Sequence, residues 1–292
     1  MQVKKRFFLG ILCLLSAQAS ALAYTPHIVK VGFTPWENQQ DMMKSSRIIV
    51  ERMSRHLKMR VVPFVASDYS GVIEAMRSKK LDVAFFPPAA YVMARKQAQA
   101  KVILKSKFGS RAAYYSAIIT QSDSKLKTLK DLKGKTFAFV DPASTSGCIY
   151  PKVLLMNAGL NPERDFSRVI YSGGHDATVL AVLNHQVDAG ATYANNMAED
   201  NAWFKILKPQ ERGKIRVLSY SKPIPSDNIA VRNDLDPVLE AKIKKFFLDF
   251  SLSSEGRKTI KAIYNVDGFT SASDEDYAPV REAFEKVGLK LR

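Results

Sequence analysis

The sequence has little cysteine, with two residues in 292. Cys13 lies in an apolar run close to the N-terminus, and Cys148 is the only cysteine beyond it. A single thiol excludes an intrachain disulfide, so stability must come from burial of a core even in an oxidising compartment. Histidine is also scarce, and no pair of histidines has a metal-ligand spacing such as His-Glu-x-x-His. We therefore expect no metal site and no other cofactor.

Long apolar runs are lacking after the first 23 residues. No later stretch approaches the roughly 20 uninterrupted apolar residues that a membrane-spanning helix needs. Residues 1–23 combine three basic residues at positions 4–6, an apolar core over Phe7–Leu15 and a small-residue end at Ala21–Ala23, which is the pattern of a secretory signal peptide. We expect cleavage before Tyr24 and a soluble, exported chain.

Acidic residues are outnumbered. The chain has 44 basic and 28 acidic residues, and removal of residues 1–23 leaves 41 against 28, a formal charge of +13. Such a balance attracts anionic partners, whether nucleic acid, a membrane surface or a small anion. Export argues against nucleic acid, and the basic residues are scattered, as in 125–135, without interleaved aromatic residues to stack on bases. We interpret most of them as solvated surface.

Short apolar runs alternate with segments of helical periodicity, which predicts an α/β fold built on largely parallel sheets. The chain is long enough to bury one large core or two medium ones. The predicted strands are Ile28–Phe33, Arg60–Phe64, Asp82–Phe86, Ser116–Thr120, Thr136–Val140, Ala189–Tyr193 and Asn228–Val231. The predicted helices are Lys44–Leu57, Ser70–Ser78, Ala89–Gln97, Ile149–Ala158, Ala177–Asn184 and a C-terminal set from Asp236 to Lys286.

One pattern occurs twice, 107 residues apart. Asp68–Met76 followed by Leu81–Ala84 is echoed by His175–Leu183 followed by Val187–Gly190. Each copy consists of a polar loop, a short amphipathic helix, a turn and a strand that begins with an apolar residue and Asp. So long a period indicates two similar α/β lobes and not a solenoid. A chance match between two common αβ units is the alternative.

No flexible or low-complexity linker marks a boundary between such lobes. Two extended stretches, Tyr114–Thr120 and Pro223–Val231, are predicted to cross between them. The first lobe is then discontinuous and comprises residues 24–115 plus 226–292, and the second comprises residues 116–225.

The segment Asp141-Pro142-Ala143-Ser144-Thr145-Ser146-Gly147 follows the apolar run Phe137–Val140 and precedes a helical pattern. Free backbone N–H groups at a helix start, the helix dipole and three adjacent hydroxyls would favour an anion at one spot. Taken alone, the segment is explained more simply by a Ser/Thr N-cap after a βα loop.

Four segments, in chain order, resemble the phosphate/phosphite/phosphonate-binding proteins of ABC importers. They are Asp68–Arg77, Asp141–Gly147, Gly173–Ala177 and Pro223–Asn228. The resemblance covers nearly all of the chain after residue 23. It implies a type II periplasmic-binding-protein fold, in which two α/β lobes joined by two hinge strands close on an oxyanion. It also implies a periplasmic monomer that delivers phosphate, phosphite or a small alkylphosphonate to an inner-membrane ABC permease.

The resemblance also implies the site residues. Ser144, Thr145 and Ser146 would hold the phosphoryl oxygens through hydroxyls and backbone N–H groups. His175 would donate from the same lobe. The remaining positions carried over are Tyr69 and Tyr114, which would close the site from the first lobe and the hinge, and Asp176, which would orient His175 or accept a hydrogen bond.

Two further positions bear on the choice of ligand. Asp227 matches an acidic position where a carboxylate can accept a hydrogen bond from a protonated oxyanion, whereas sulfate would leave it unpaired. Asn195 stands where the aminoethylphosphonate-binding branch has a glutamate beside the ligand amine, so a cationic tail would lose its charge partner. Pro87-Pro88 replaces a Gly-containing turn expected after Phe86.

Three alternatives remain at this point. The same fold serves periplasmic sensors that report a related oxyanion to a membrane histidine kinase. Cys148, next to the hydroxyl segment, would suit a soft ligand such as arsenite, although a small packed residue is the simpler interpretation. An enzyme using Ser144 or Ser146 with His175 and Asp176 is not expected, because no Gly-x-Ser-x-Gly elbow is present and adjacent side chains diverge.

Overall fold

The computed structural model describes residues 23–198 and 200–289. The predicted signal peptide lies outside these ranges, except for Ala23. The strands are β1 Ile28–Phe33, β2 Arg60–Val65, β3 Val83–Phe86, β4 Lys101–Lys107, β5 Ala113–Gln121, β6 Thr136–Phe139, β7 Arg168–Tyr171, β8 Ala189–Ala194, β9 Ile215–Tyr220, β10 Ile224–Pro225, β11 Asn228–Val231 and β12 Gly268–Ser271. The helices are α1 Gln39–Leu57, α2 Tyr69–Arg77, α3 Pro88–Ala98, α4 Tyr150–Asn157, α5 His175–Leu183, α6 Ala202–Ile206, α7 Pro237–Leu252, α8 Ser254–Tyr264 and α9 Ala278–Lys286. No helix in the described ranges is long and apolar enough to span a bilayer.

The strands of the described chain form two six-stranded sheets. The first has the order β12-β4-β11-β3-β1-β2, and the second has the order β10-β5-β8-β6-β7, with β9 also paired to β5. The chain passes from the first sheet to the second between β4 and β5, and it returns between β10 and β11. The predicted α/β layering is confirmed, and so is the similarity between α2–β3 in the first sheet and α5–β8 in the second.

The sheets are mixed, so the prediction of largely parallel sheets is wrong. Parallel pairing is confined to β2-β1-β3 and β7-β6-β8. β11 returns from the second sheet and inserts between β3 and β4, and it runs antiparallel to both. β5 enters the second sheet antiparallel to β8. Strands that follow a βα crossover are parallel to their neighbours, whereas these two strands arrive from the other sheet and run in the opposite direction.

The seven predicted strands and the predicted helices are present, with ends shifted by a few residues. The predictions missed β4, β7, β9, β10, β12 and α6, and β12 interrupts the C-terminal set that was predicted as helical.

Side chains alternate between the two faces of each strand, so residues of the first sheet belong to two separate hydrophobic clusters. In β1, Val29, Val31 and Phe33 are fully buried in the same hydrophobic cluster as residues of α1 and α7. In β3, Ala84 and Phe86 belong to a second cluster, together with α2 and α3. That second cluster continues to α5, so the two sheets are joined by a shared apolar core.

Candidate functional site

A cavity of about 50 Å³, measured as space for the centres of water molecules, lies between the two sheets. That is room for roughly three or four waters. Loops at the carboxyl ends of β1, β3, β6 and β8 reach it, which is where open α/β sheets bind ligands. Its walls are Thr34, Trp36, Tyr69, Phe85, Phe86, Pro87, Ser106, Phe108, Tyr114, Ser144, Ser146, His175, Tyr193, Asn195, Asp227 and Val266.

The loop after β6, residues 141–147, supplies backbone donors. The Ser144 hydroxyl accepts the Gly147 N–H at 3.1 Å, and the N–H of Tyr150 bonds to the Thr145 carbonyl in a π-helical turn, a feature frequent at functional sites. No described group accepts the N–H of Thr145 or of Ser146. These two adjacent N–H groups are therefore available to an anion at the start of a helical segment.

Hydroxyls of this loop and of three tyrosines line the cavity. They belong to Ser144, Ser146, Tyr69, Tyr114 and Tyr193. Burial, and next the charge of Asp141, raise the pKa of Tyr69, so its hydroxyl stays a protonated donor. Tyr193 is 6% exposed, and its hydroxyl has no partner among the described groups. A buried hydroxyl without a partner points to a ligand that accepts its hydrogen bond.

His175 lies at the first position of α5 and is 4% exposed. Its N–H donates to the Trp36 carbonyl at 3.0 Å, and its Nδ1 lies 3.0 Å from the Thr192 hydroxyl, which leaves Nε2 as the ring nitrogen for the cavity. Burial, with a smaller contribution from the charge of Lys205, lowers the pKa of His175 to about 3. The unliganded ring is therefore neutral at physiological pH.

Asp227 brings a carboxylate into the same cavity. Its carbonyl accepts the Ser106 N–H at 2.8 Å, which fixes the residue between β10 and β11. Burial raises the pKa of the Asp227 carboxyl to about 7, although a hydrogen bond from Tyr114 lowers it in part. The group is thus poised to accept a proton or a hydrogen bond from an oxyanion.

The raised pKa of Asp227 predicts a pH-dependent cost of folding. Between pH 3.8 and about 7 the folded state keeps the Asp227 proton, whereas the unfolded state has lost it. The contribution of this group to the free energy of unfolding is therefore fully present below pH 3.8, and it is lost by the time the pH has risen through 7. In the unliganded protein, Asp227→Asn should therefore raise the melting temperature at pH 8 by roughly 5 °C and change it little at pH 4. Melting curves at both pH values, with the exposed Asp123→Asn as control, check this. Equal shifts at both pH values would contradict it.

Two predicted site residues do not line the cavity. The Thr145 hydroxyl accepts the N–H of Ala89 at the start of α3, and on its other side it lies within hydrogen-bond reach of the Tyr114 side chain. Asp176 turns back on its own helix start, where its carboxylate lies against Gly174. Of the nine predicted residues, the structure brings together the other seven, which are Ser144, Ser146, His175, Tyr69, Tyr114, Asp227 and Asn195.

Asn195 is held by Asp200. Its Nδ2 donates to the Asp200 carboxylate at 3.2 Å, and its N–H donates to the Asp200 carbonyl at 2.8 Å. A carboxylate accepts hydrogen bonds, so this contact fixes the amide orientation and leaves the Asn195 carbonyl oxygen for the cavity. At this point the cavity wall is formed by the neutral amide of Asn195, and the Asp200 carboxylate lies behind that amide.

Cys148 lies outside the cavity wall and is 1% exposed. Burial raises the pKa of its thiol to about 12, and the charge of Lys152 offsets only part of this. A buried, protonated thiol is a poor ligand for a soft anion. Its packing among hydrophobic residues of the second sheet favours the interpretation as a small core residue.

Sequence reasoning missed Tyr193 and Trp36 as cavity residues. Tyr193 is two residues before Asn195, so the period of two along β8 places both side chains on one face, a signal that was available. Trp36 follows the carboxyl end of β1. Its ring contacts Tyr193 edge-on at 5.8 Å, and the Lys205 ammonium lies 4.4 Å from its ring centroid. Lys205 also pairs with both carboxylate oxygens of Glu37 at 3.0 Å.

The chain is similar to known proteins over most of its length. Residues 31–277 match the family of periplasmic substrate-binding proteins of ABC phosphonate transporters. The chain is 29% identical over 281 residues to the phosphate-import protein PhnD of Mycolicibacterium smegmatis, covering 90% of this chain and 87% of that protein. It is 29% identical over 256 residues to the phosphonates-binding periplasmic protein of Escherichia coli, covering 86% and 74%.

The fold agrees as well. The crystal structure of a binding protein component of an ABC phosphonate transporter from Pseudomonas aeruginosa matches with a TM-score of 0.80 and 26% identity, covering 89% of this chain and 86% of that one. This confirms the predicted type II periplasmic-binding-protein fold, and none of these three relatives is named as a sensor. The chain belongs to the family of periplasmic substrate-binding proteins of ABC phosphonate transporters.

Proposed function

We propose that the protein captures a small phosphorus oxyanion in the cavity between its sheets and delivers it to an inner-membrane ABC permease. The observation that carries this is the convergence of donors on one small cavity. The N–H groups of Thr145 and Ser146 are free of described protein acceptors, the Tyr193 hydroxyl is buried without a described partner, and Ser144, Ser146 and Tyr193 line the same cavity. Burying an anion is tolerable only where each oxygen meets a donor.

The ligand is phosphate, phosphite or a small alkylphosphonate. The relatives described above are named for phosphate import and for phosphonate binding. A cavity of about 50 Å³ suits a ligand of this size. Asp227 supports a ligand that keeps one proton, since the second ionisation of a phosphoryl group falls near pH 6. Sulfate, which is fully deprotonated, has no proton to donate to Asp227 and would oppose its ionised carboxylate.

The two sheets support the lobes proposed from the sequence, residues 24–115 plus 226–292 and residues 116–225. Removal of a signal peptide covering residues 1–23 would release a monomeric chain into the periplasm. We expect no turnover of phosphoesters. His175 would be a weak base with its pKa near 3, and its Nδ1 contacts Thr192 and not a nucleophile.

A thermal-shift panel tests the proposal. At a concentration of 100 times its Kd, the cognate anion should stabilise the protein by about 2.7 kcal/mol. The panel contains phosphate, phosphite, methylphosphonate and aminoethylphosphonate, with sulfate and arsenite as controls. We expect at least one of the first three to stabilise the protein and sulfate to leave it unchanged. A protein that responds to none of the phosphorus oxyanions would overturn the proposed function.

A further inference from the structure

Helix α3 begins without a cap of its own. It follows Pro87, which has no side-chain acceptor, and its first residue is Pro88, so its first backbone N–H belongs to Ala89. Ala89 is fully buried, and its N–H donates to the Thr145 hydroxyl oxygen at 2.8 Å. Thr145 belongs to the loop after β6. The acceptor that the start of α3 needs is therefore supplied by the other sheet, across the cavity.

The opposite end of loop 141–147 makes a similar contact with the neighbouring helix. The Asp141 carboxylate accepts the N–H of Tyr69, the first residue of α2, at 3.4 Å. Its second oxygen accepts the Ala143 N–H at 2.7 Å within the loop. Asp68 is the ordinary cap of α2, because its side chain accepts the Gly71 N–H. Asp141 therefore adds an acceptor from the other sheet.

We propose that Thr145 and Asp141 are positioning residues that couple occupancy of loop 141–147 to closure of the two sheets, by capping α3 and α2 from across the cavity. The ligand in this inference is that of the proposed function, whereas the contacts between loop and helices do not depend on it. Thr145 is the more important of the two, because its contact is shorter and α3 has no other side-chain cap.

The coupling follows because the backbone N–H and the side-chain hydroxyl of Thr145 have different roles. The backbone N–H of Thr145 has no described acceptor and lies between Ser144 and Ser146, which line the cavity, and its side chain caps α3. An oxyanion bound to the N–H groups of Thr145 and Ser146 holds the loop in the conformation that presents the hydroxyl to Ala89. Opening the cavity would break the cap and expose the start of α3 to water. An anion that binds the closed arrangement better than the open one is thus retained partly by the cap.

This role differs from the one that the family resemblance implies for the Thr145 hydroxyl, which is a direct contact with the ligand. Loss of a ligand contact would weaken binding and leave closure of the saturated protein complete, whereas loss of a cap acts on closure and weakens every ligand by the same factor. The two roles therefore predict different results for the same substitution.

The test compares Thr145→Val, which removes the hydroxyl, with Thr145→Ser, which keeps it. Thr120→Val is the matched control, because Thr120 is also buried but its hydroxyl donates to the Asp188 carbonyl just before β8, away from α3. Affinity for phosphate and methylphosphonate is measured by calorimetry, dissociation by stopped flow, and closure at saturating ligand by small-angle scattering. Asp141 variants are less informative, because they also lose the contact with Ala143.

We expect Thr145→Val to raise Kd by about tenfold, the same factor for both ligands, through faster dissociation. The saturated variant should contain more open protein than the wild type, and Thr145→Ser and Thr120→Val should behave as the wild type. Weaker binding with complete closure would overturn the proposal and make Thr145 a ligand contact. Unchanged affinity and closure would also overturn it.

A readout at Ala89 separates this proposal from the proposed function. Amide hydrogen exchange at Ala89 should be slow in the closed wild type and in Thr145→Ser, and faster in Thr145→Val. If the wild type binds none of the phosphorus oxyanions, the proposed function fails, yet exchange in the unliganded proteins still decides whether Thr145 caps α3. Equal exchange in all three proteins would refute the cap.

Discussion

Gly147→Ala is expected to raise the Kd for the oxyanion at least 100-fold and to lower the free energy of unfolding by about 1–3 kcal/mol. A Cβ at this position would lie 2.3 Å from Cγ2 and 2.5 Å from Cβ of Val140, and 2.8 Å from the Ser144 hydroxyl. Val140 is fully buried next to β6, so it cannot move aside. The loop must shift instead, and its free N–H groups then leave the cavity.

Gly213→Ala is the matched control, since no atom lies within 4 Å of the Cβ it would add. Calorimetry with the best ligand of the panel and chemical denaturation of the unliganded proteins measure the two effects separately. Wild-type affinity in Gly147→Ala would show that the loop does not hold the anion.

The double variant Ser144→Ala with Ser146→Ala should raise Kd by roughly 100-fold or more, because each hydroxyl bonded to a charged oxygen contributes about 1.5–3 kcal/mol. The effect of substituting Ser146 is easier to interpret than that of substituting Ser144. Ser144 also accepts the Gly147 N–H, so its loss costs some order in the loop. Calorimetric titration of the double variant gives the change in Kd.

Ser167→Ala, at an exposed position just before β7, serves as control. Circular dichroism and thermal unfolding of the unliganded double variant establish that it is folded. A folded double variant with the affinity of the wild type would place the ligand elsewhere.

The parts of the fold that the sequence predicted are those with local signals. β1, β3, β6 and β8 are short apolar runs flanked by turns, and α2 and α5 carry helical periodicity. β4 was missed because Lys101, Lys105 and Lys107 dilute its apolar residues, and only Val102, Ile103, Leu104 and Ser106 are buried. β7 has no fully buried residue. β12 is four residues long inside a helical region.

The pairing of strands was less accessible than their existence. β11 has the apolar sequence of any other buried strand. Nothing in its four residues shows that it inserts between β3 and β4 and runs antiparallel to both. That arrangement depends on where the chain re-enters the first sheet, which is a property of the whole path. The assumption of parallel sheets therefore failed at the strands that follow a crossing.

At the candidate site, the sequence predicted which residues take part better than it predicted the direction of each side chain. The hydroxyl segment, His175 and Asp227 were found from motifs, and they reach one cavity. The contact between Thr145 and Ala89 joins residues 56 positions apart, and the fold of Asp176 onto Gly174 depends on local backbone geometry. Neither is visible in residue types. Asp200 likewise acts on the cavity from behind its wall, through its hydrogen bond with Asn195 and its charge near Tyr193.

Trp36 gives the molecule a practical use. It is one of two tryptophans in the chain, and its ring lies on the cavity wall between Tyr193 and the Lys205 ammonium, where the two sheets meet. Indole emission depends on nearby charge and on solvent, so a fluorophore already stands at the place where the anion enters. A dye-free indicator for phosphorus oxyanions in water can be built from this chain by replacing Trp203 alone.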